Sequence, residues 1–145
     1  MSRILPLMLL CACRLSEDYV PEEFSSCNPD FGYRIGIEDV YLANPPVSIE
    51  GDTLIVDVEY GGGCGHHLFS ICWPRRAFVE GDPVQVPLEL WHGGGGDSCT
   101  AILSETLTFD LSPLKEAWKD DYGDTSGSMI LDIVDAPEPV EYTFD

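Results

Sequence analysis

The chain is poor in positive charge. Its 145 residues include seven Lys and Arg against 26 Asp and Glu, a formal net charge of −19. Binding to a phosphate backbone needs clustered cations, and these are scattered, so a nucleic-acid partner is excluded. Docking on anionic lipid through surface charge is excluded for the same reason. The acidity reads as a solubilising surface. Catalytic frames are missing too. There is no Gly-x-Ser-x-Gly elbow and no His-Glu-x-x-His, and no Lys follows the glycines at 93–96 to make a phosphate cradle. On that ground no enzyme activity and no catalytic residue is expected. The chain also lacks an Asn-x-Ser/Thr acceptor, an internal repeat and a composition break that would mark a second domain.

What is present begins at the N-terminus. Met1-Ser2-Arg3 carries one positive charge, residues 4–10 are apolar apart from Pro6, and Leu10-Cys11-Ala12-Cys13 follows. Charge, apolar run and small residues in that order describe a signal peptide. The run is far below the roughly 20 apolar residues of a spanning helix. "LCAC" resembles the lipobox of bacterial lipoproteins. That resemblance implies cleavage after residue 12, lipidation (palmitate among the acyl chains) at Cys13 and anchoring in the cell envelope. It places the chain at the outer membrane or its periplasmic face where the host has two membranes. Residues 13–32 then read as a lipid anchor with an acidic tether broken by Pro and Gly, and 33–145 as one folded domain.

Setting aside Cys11 and Cys13 leaves Cys27, Cys64, Cys72 and Cys99. An even number outside the cytoplasm suggests disulfides, and four cysteines allow three pairings.

The domain reads as strands. Residues 53–60 alternate, with Leu54, Val56, Val58 and Tyr60 on one face; residues 84–91 alternate around Val84, Val86, Leu88 and Leu90. Residues 33–43, 67–73, 100–111, 129–135 and 140–144 read the same way. Pro87 points to an edge or a bulge. One helix is expected, with Ser112 as its cap, Pro113 in its first turn and Gly123 after its end. The expected fold is all-β: an antiparallel β-sandwich, immunoglobulin-like, with one short helix.

Two glycine-rich stretches stand out, "GGGCGHH" at 61–67 and "WHGGGGDSC" at 91–99. A hairpin between residues 67–73 and 84–91 sets His67 near His92. A second hairpin, between 84–91 and 100–111, sets His92 near Cys99. Cys64, His67, His92 and Cys99 then share one end of a sheet. Three chemistries fit this cluster. One is a Cys64–Cys99 disulfide with the histidines at the core rim, which leaves Cys27 and Cys72 to pair. Another is a zinc or copper site made of Cys64, His67, His92 and Cys99, with His66 and Asp97 as variant ligands. The third is a hydrolase site of unrecognised type.

"YGGGCGHHLFSICW", "WHGGGGDSC" and "LTFDLSPLKEAW" together resemble a family of uncharacterised bacterial lipoproteins. Its pattern matches here at Cys64, His67, Phe69, His92, Asp97 and Cys99, followed by the Phe-Asp-Leu-x-Pro-Leu segment. The resemblance implies no known activity. The expected role is a membrane-anchored structural or interaction module, its protein or small-molecule partner unspecified and no cofactor required.

Overall fold

The computed structural model describes Cys27, Tyr33, Arg34 and residues 47–145 apart from Gly95, Asp124 and Asp135. The lipobox and most of the acidic tether lie outside the described residues.

The elements in chain order are β1 (Tyr33–Arg34), β2 (Val47–Glu50), β3 (Thr53–Gly62), β4 (Leu68–Cys72), β5 (Val84–Gly93), β6 (Ala101–Asp110), α1 (Ser112–Tyr122), β7 (Gly127–Ile133) and β8 (Val140–Phe144). They make two sheets. The smaller runs β2-β3-β6. The larger runs β1-β5-β7-β8, with β4 also on β5. Each expected strand appears, with ends shifted by a residue or two, except that of 33–43 only Tyr33–Arg34 is described. β2 was not foreseen: it is four residues directly after Pro45-Pro46, too short for alternation to register.

Alternation built these strands. Leu54, Val56 and Val58 of β3, Leu107 and Phe109 of β6, Val86 and Leu88 of β5, Met129 and Leu131 of β7, and Tyr142 and Phe144 of β8 are all buried in one hydrophobic core. Both sheets therefore turn their apolar faces to the same core. Pro87 sits in β5 where only one side of the strand is laddered. Gln85, of the same parity, exchanges both backbone bonds with Val79, and Leu88 uses its carbonyl on the β7 side. The N–H that proline lacks would therefore point away from β7, so its absence interrupts no bond to β7.

Three expectations are corrected. β5 does not form a hairpin with β6. Its flanks are taken by β4 on one side and β1 and β7 on the other, and β6 instead pairs with β3 over ten residues, from Thr53↔Asp110 to Gly62↔Ala101. The glycine run at 93–96 thus carries the chain from one sheet to the other. The sheets are not wholly antiparallel, because β5 and β7 run parallel, from Val84↔Met129 to Leu88↔Ile133. The chain passes through β6 and α1 between them, a route long enough to reverse direction twice.

The third correction concerns the helix start. Ser112 lies inside α1, and Leu111 holds the cap position with no side-chain bond. The Asp110 carboxylate does the capping instead, accepting from the Ser112 N–H at 2.9 Å and its hydroxyl at 2.7 Å. Gly123 ends the helix in the left-handed region and donates to Lys119 O. Leu114 is fully buried, and Trp118 packs edge-on against Phe144. No described helix is long and apolar enough to cross a membrane.

Candidate functional site

The pairing of β3 with β6 delivers the two glycine stretches to one place. Gly62 lies opposite Ala101, so Cys64 just beyond β3 meets Cys99 just before β6. They form a disulfide, with Cα atoms 5.8 Å apart. Cys27 and Cys72 form a second, which joins Cys27 to the end of β4.

Asp97 is the hub of this end. Its Oδ2 accepts the main-chain N–H groups of Gly63, Cys64 and Gly65, each at 2.9 Å, and its Oδ1 accepts that of Cys99 at 2.9 Å. Three successive N–H groups converging on one oxygen make a backbone nest for an anion. Here the anion is the protein's own carboxylate. These donors hold Asp97 far below the usual carboxylate range, the Cys99 N–H contributing most, then the Cys64 N–H and His67. Asp97 is therefore ionised at any ordinary pH. Its own N–H donates to Gly94 O at 2.9 Å, closing the loop on itself.

The glycines make room for this arrangement. A Cβ on Gly62 would fall on the His67 imidazole and within 3.0 Å of Asp97 Oδ2. Gly63 sits at φ +119°, where an L side chain is strained. "GGGCGHH" is thus the sequence of a loop that must pass against an imidazole and turn its N–H groups inward onto a carboxylate.

From Asp97 a chain of hydrogen bonds runs into the core. His67 Nε2 donates to Asp97 Oδ2 at 3.0 Å, and His67 Nδ1 lies 2.7 Å from His92 Nε2. The His67 side chain is 4% exposed and that of Asp97 1%, so this hydrogen bond is out of water. His92 is buried, and it pairs across β4–β5 with Phe69. Phe69, His92 and His67 stack in sequence, their ring centroids 4.6 and 4.9 Å apart. The Tyr60 ring leans on all three, and its hydroxyl donates to Glu105 at 2.9 Å. Burial, and then the neighbouring His67, push His92 below the ordinary imidazole range, partly offset by Glu105. Burial and Glu105 push the Tyr60 hydroxyl up.

The structure thus joins Cys64, His67, His92, Asp97 and Cys99 at one end. His66, in contrast, is exposed and takes no part in this hydrogen-bond chain. Cys13 lies outside the described residues. Tyr60 and Glu105 were not foreseen as members of the cluster. The signal available was parity, since Tyr60 shares the inward face of β3 and pairs with Leu103, two residues before Glu105. Chemically, the disulfide occupies both sulfurs of a Cys2His2 set. The donors left are His67, whose two nitrogens are engaged with Asp97 and His92, then His92 and Asp97 themselves. Asp97–His67 has the layout of an acid–base dyad. The nitrogen that would meet a substrate, His67 Nδ1, is bonded to His92.

No protein-family model matches the chain, and no curated protein matches it. Among solved structures it is similar to the crystal structure of a "Putative TOXIN related protein" from Parabacteroides distasonis ATCC 8503, at 21% identity and a TM-score of 0.45. The match covers 72% of this chain and 48% of that one, so the region shared is about half the length of the other protein. A likeness of this size carries neither fold nor function from one to the other.

Proposed function

We propose that the protein is an exported lipoprotein, anchored at Cys13 in the cell envelope, whose domain is a disulfide-stapled β-sandwich acting as a structural or interaction module. The observation that carries this reading is that all four cysteines after the lipobox are joined in pairs, Cys27–Cys72 and Cys64–Cys99. Disulfides persist in oxidising compartments and are rare in the cytosol. The Leu10-Cys11-Ala12-Cys13 stretch supplies both the export route and the anchor. A polybasic patch is not needed in that case, because acyl chains on Cys13 hold an acidic chain to the bilayer.

Within this reading the sandwich is immunoglobulin-like in its two facing sheets and departs from that plan at the parallel β5–β7 pair. The Asp97–His67–His92 chain serves as a lock. It spends its donors and acceptors on one another and on the loop backbone, which favours a binding or structural role over catalysis.

The test is metabolic labelling of the full chain in a bacterial host with a radioactive fatty acid. Label on the wild type, loss of label in Cys13→Ala, and accumulation of the uncleaved form under a signal peptidase II inhibitor are the expected results. An unlabelled, soluble wild-type chain would overturn the anchoring. Thiol alkylation without a reductant checks the compartment: Cys27, Cys64, Cys72 and Cys99 should all be protected.

A further inference from the structure

Cys64 Sγ, Cys99 Sγ and a carboxylate oxygen of Asp97 lie within 4.8 Å of one another. We propose that, once the Cys64–Cys99 bond is reduced, these three residues form a site for one thiophilic divalent cation such as zinc, with His67 holding the carboxylate in place. The disulfide and the metal are then alternative closures of the same two loops, chosen by redox state. This inference does not rest on the lipid anchor.

Four features support it. First, the sulfurs are kept together by more than their own bond. Cys64 and Cys99 extend the last paired residues of β3 and β6, Gly62 and Ala101, so opening the bond leaves both at the same sheet end. Two thiolates on one tetrahedral zinc stand about 3.8 Å apart, since each Zn–S bond is about 2.3 Å. The Cα atoms, at 5.8 Å, accommodate that with side-chain movement.

Second, a carboxylate oxygen of Asp97 lies within 4.8 Å of both sulfurs. Its Oδ2 is taken up by three main-chain N–H groups and His67, whereas Oδ1 accepts from Cys99 and keeps a second lone pair for an ion. Third, the carboxylate has the outer partner that ligating carboxylates need. His67 donates to it at 3.0 Å and is itself fixed by His92 at 2.7 Å. Fourth, an ion can reach the site. Cys64 is exposed and Cys99 half-buried, so an ion approaches from the sulfur side, with the Asp97 side chain, 1% exposed, behind them. Three protein ligands would leave the fourth position of a tetrahedral ion to water.

The chemistry balances. A dithiol reductant gives two electrons and two protons, the S–S bond breaks, and the reductant closes to its own disulfide. Cys64 and Cys99 become thiols. Metal binding then displaces the thiol protons to solvent, so affinity rises with pH. Two thiolates and a carboxylate meet a divalent cation with a net charge of −1. The ligand set differs from Cys64, His67, His92 and Cys99: both histidines stand behind Asp97, which is the ligand that joins the two sulfurs.

The probe is Co2+, which replaces zinc and reports thiolate ligation by a near-ultraviolet charge-transfer band. The full chain is reduced with a phosphine and titrated, with circular dichroism followed in parallel. The expected result is the band in the reduced wild type and in Cys11→Ser/Cys13→Ser/Cys27→Ser/Cys72→Ser, none in the oxidised chain, and none in Cys64→Ser/Cys99→Ser. His67→Ala should weaken Co2+ binding about 10–100-fold. Asp97→Asn should weaken it further and Asp97→Glu restore part of it. Zinc should displace the cobalt. Absence of the band in Cys11→Ser/Cys13→Ser/Cys27→Ser/Cys72→Ser, with a band that persists in Cys64→Ser/Cys99→Ser, places the metal on other cysteines and overturns the proposal. So does a reduced wild type with no band, folded or not. Equal affinity for wild type, Asp97→Asn and Asp97→Glu would remove Asp97 from the site.

Discussion

Each end of β3 is held by one aspartate, and the two do so differently. At the start of the strand Asp52 binds side chains. Its carboxylate accepts from Lys115 of α1 at 2.9 Å and from the Tyr142 hydroxyl of β8 at 2.7 Å, while its carbonyl accepts the Leu111 N–H at 2.8 Å. At the far end Asp97 binds the backbone, four N–H groups from two loops, plus His67. The Asp52 side chain is 42% exposed and that of Asp97 1%. Both carboxyls are depressed, Asp52 by Lys115 first and then Tyr142, Asp97 by main-chain donors first. The difference lies in what each holds. Asp52 clips finished elements together: a turn, a helix and a strand. Asp97 gives shape to loops that have no regular structure of their own.

The largest expected effect lies at the Asp97 end. The Cys64–Cys99 bond closes a loop with a sequence separation of 35. The chain-entropy treatment assigns such a bridge about 3–4 kcal/mol. Denaturant unfolding of Cys64→Ser/Cys99→Ser should show a loss of that order with an unchanged far-ultraviolet spectrum. A loss below about 1 kcal/mol would mean that Asp97 alone keeps the loops closed.

Next comes a direct comparison of the two carboxylates. Asp97→Ala removes the acceptor of four main-chain donors and strands the buried His67 Nε2–H, whereas Asp52→Ala strands one buried donor, the Tyr142 hydroxyl, and frees the Lys115 ammonium at a carboxylate that is 42% exposed. Asp97→Ala should lower the thermal midpoint more, and should speed amide exchange at Gly63, Cys64 and Gly65. Equal midpoints would show that the loop end adds no more to global stability than the turn end.

How far these two ends were legible in the sequence follows from the same contrast. Alternation exposed the inward faces of β3, β5 and β8, because burial on one side of a sheet leaves a period-two signature. Cys64, His67, His92 and Cys99 were drawn together by two hairpins, of which β4–β5 exists and β5–β6 does not. The cluster forms through β3–β6, whose partners lie from 39 (Gly62↔Ala101) to 57 (Thr53↔Asp110) residues apart and leave no turn signal between them. The carboxylates were harder still. Asp97's main partners are backbone N–H groups, which every residue carries and no letter marks. Asp52 reaches Tyr142, ninety positions away. The parallel β5–β7 pair was hidden because both strands are buried on one face and alternate, where a parallel sheet covered on both faces would show continuous apolar runs.

A smaller effect tests the Asp52 end. Tyr142 is fully buried and donates its hydroxyl to the carboxylate, and burial followed by Asp52 pushes that hydroxyl well above the usual phenol range. Tyr142→Phe keeps the ring and deletes the bond. A charged hydrogen bond of this kind contributes about 1–2 kcal/mol once Asp52's exposure is allowed for. Chemical unfolding should give that loss, and no loss would mean that water replaces the hydroxyl at Asp52.

Acid should separate the two ends by pH. Unfolded His92 takes its proton near the ordinary imidazole value, about 6.5. Folded His92 does so only lower, because burial and His67 oppose the charge. Between those values the unfolded chain binds more protons, so stability declines as pH falls from about 7 toward 5. His92→Phe, which keeps the stack on Phe69, should flatten that slope. The depressed carboxyls act later. Their contribution is complete above about pH 4 and is lost as pH falls through their lower folded values. A slope between pH 7 and 5 that is identical in His92→Phe would assign it to another group.

The smallest effect completes the comparison. Lys115 meets Asp52 at 2.9 Å, but the carboxylate is 42% exposed and keeps Tyr142 when the amine is gone. Exposed pairs of this kind contribute up to about 1 kcal/mol. Lys115→Met keeps an unbranched side chain and removes the ammonium, so the thermal midpoint should fall by about 2 °C, and less in high salt. A drop comparable to that of Tyr142→Phe would make the ammonium an equal partner in the clip. The number of donors each carboxylate gathers would then set what each end of β3 contributes, and the depth at which it is buried would not.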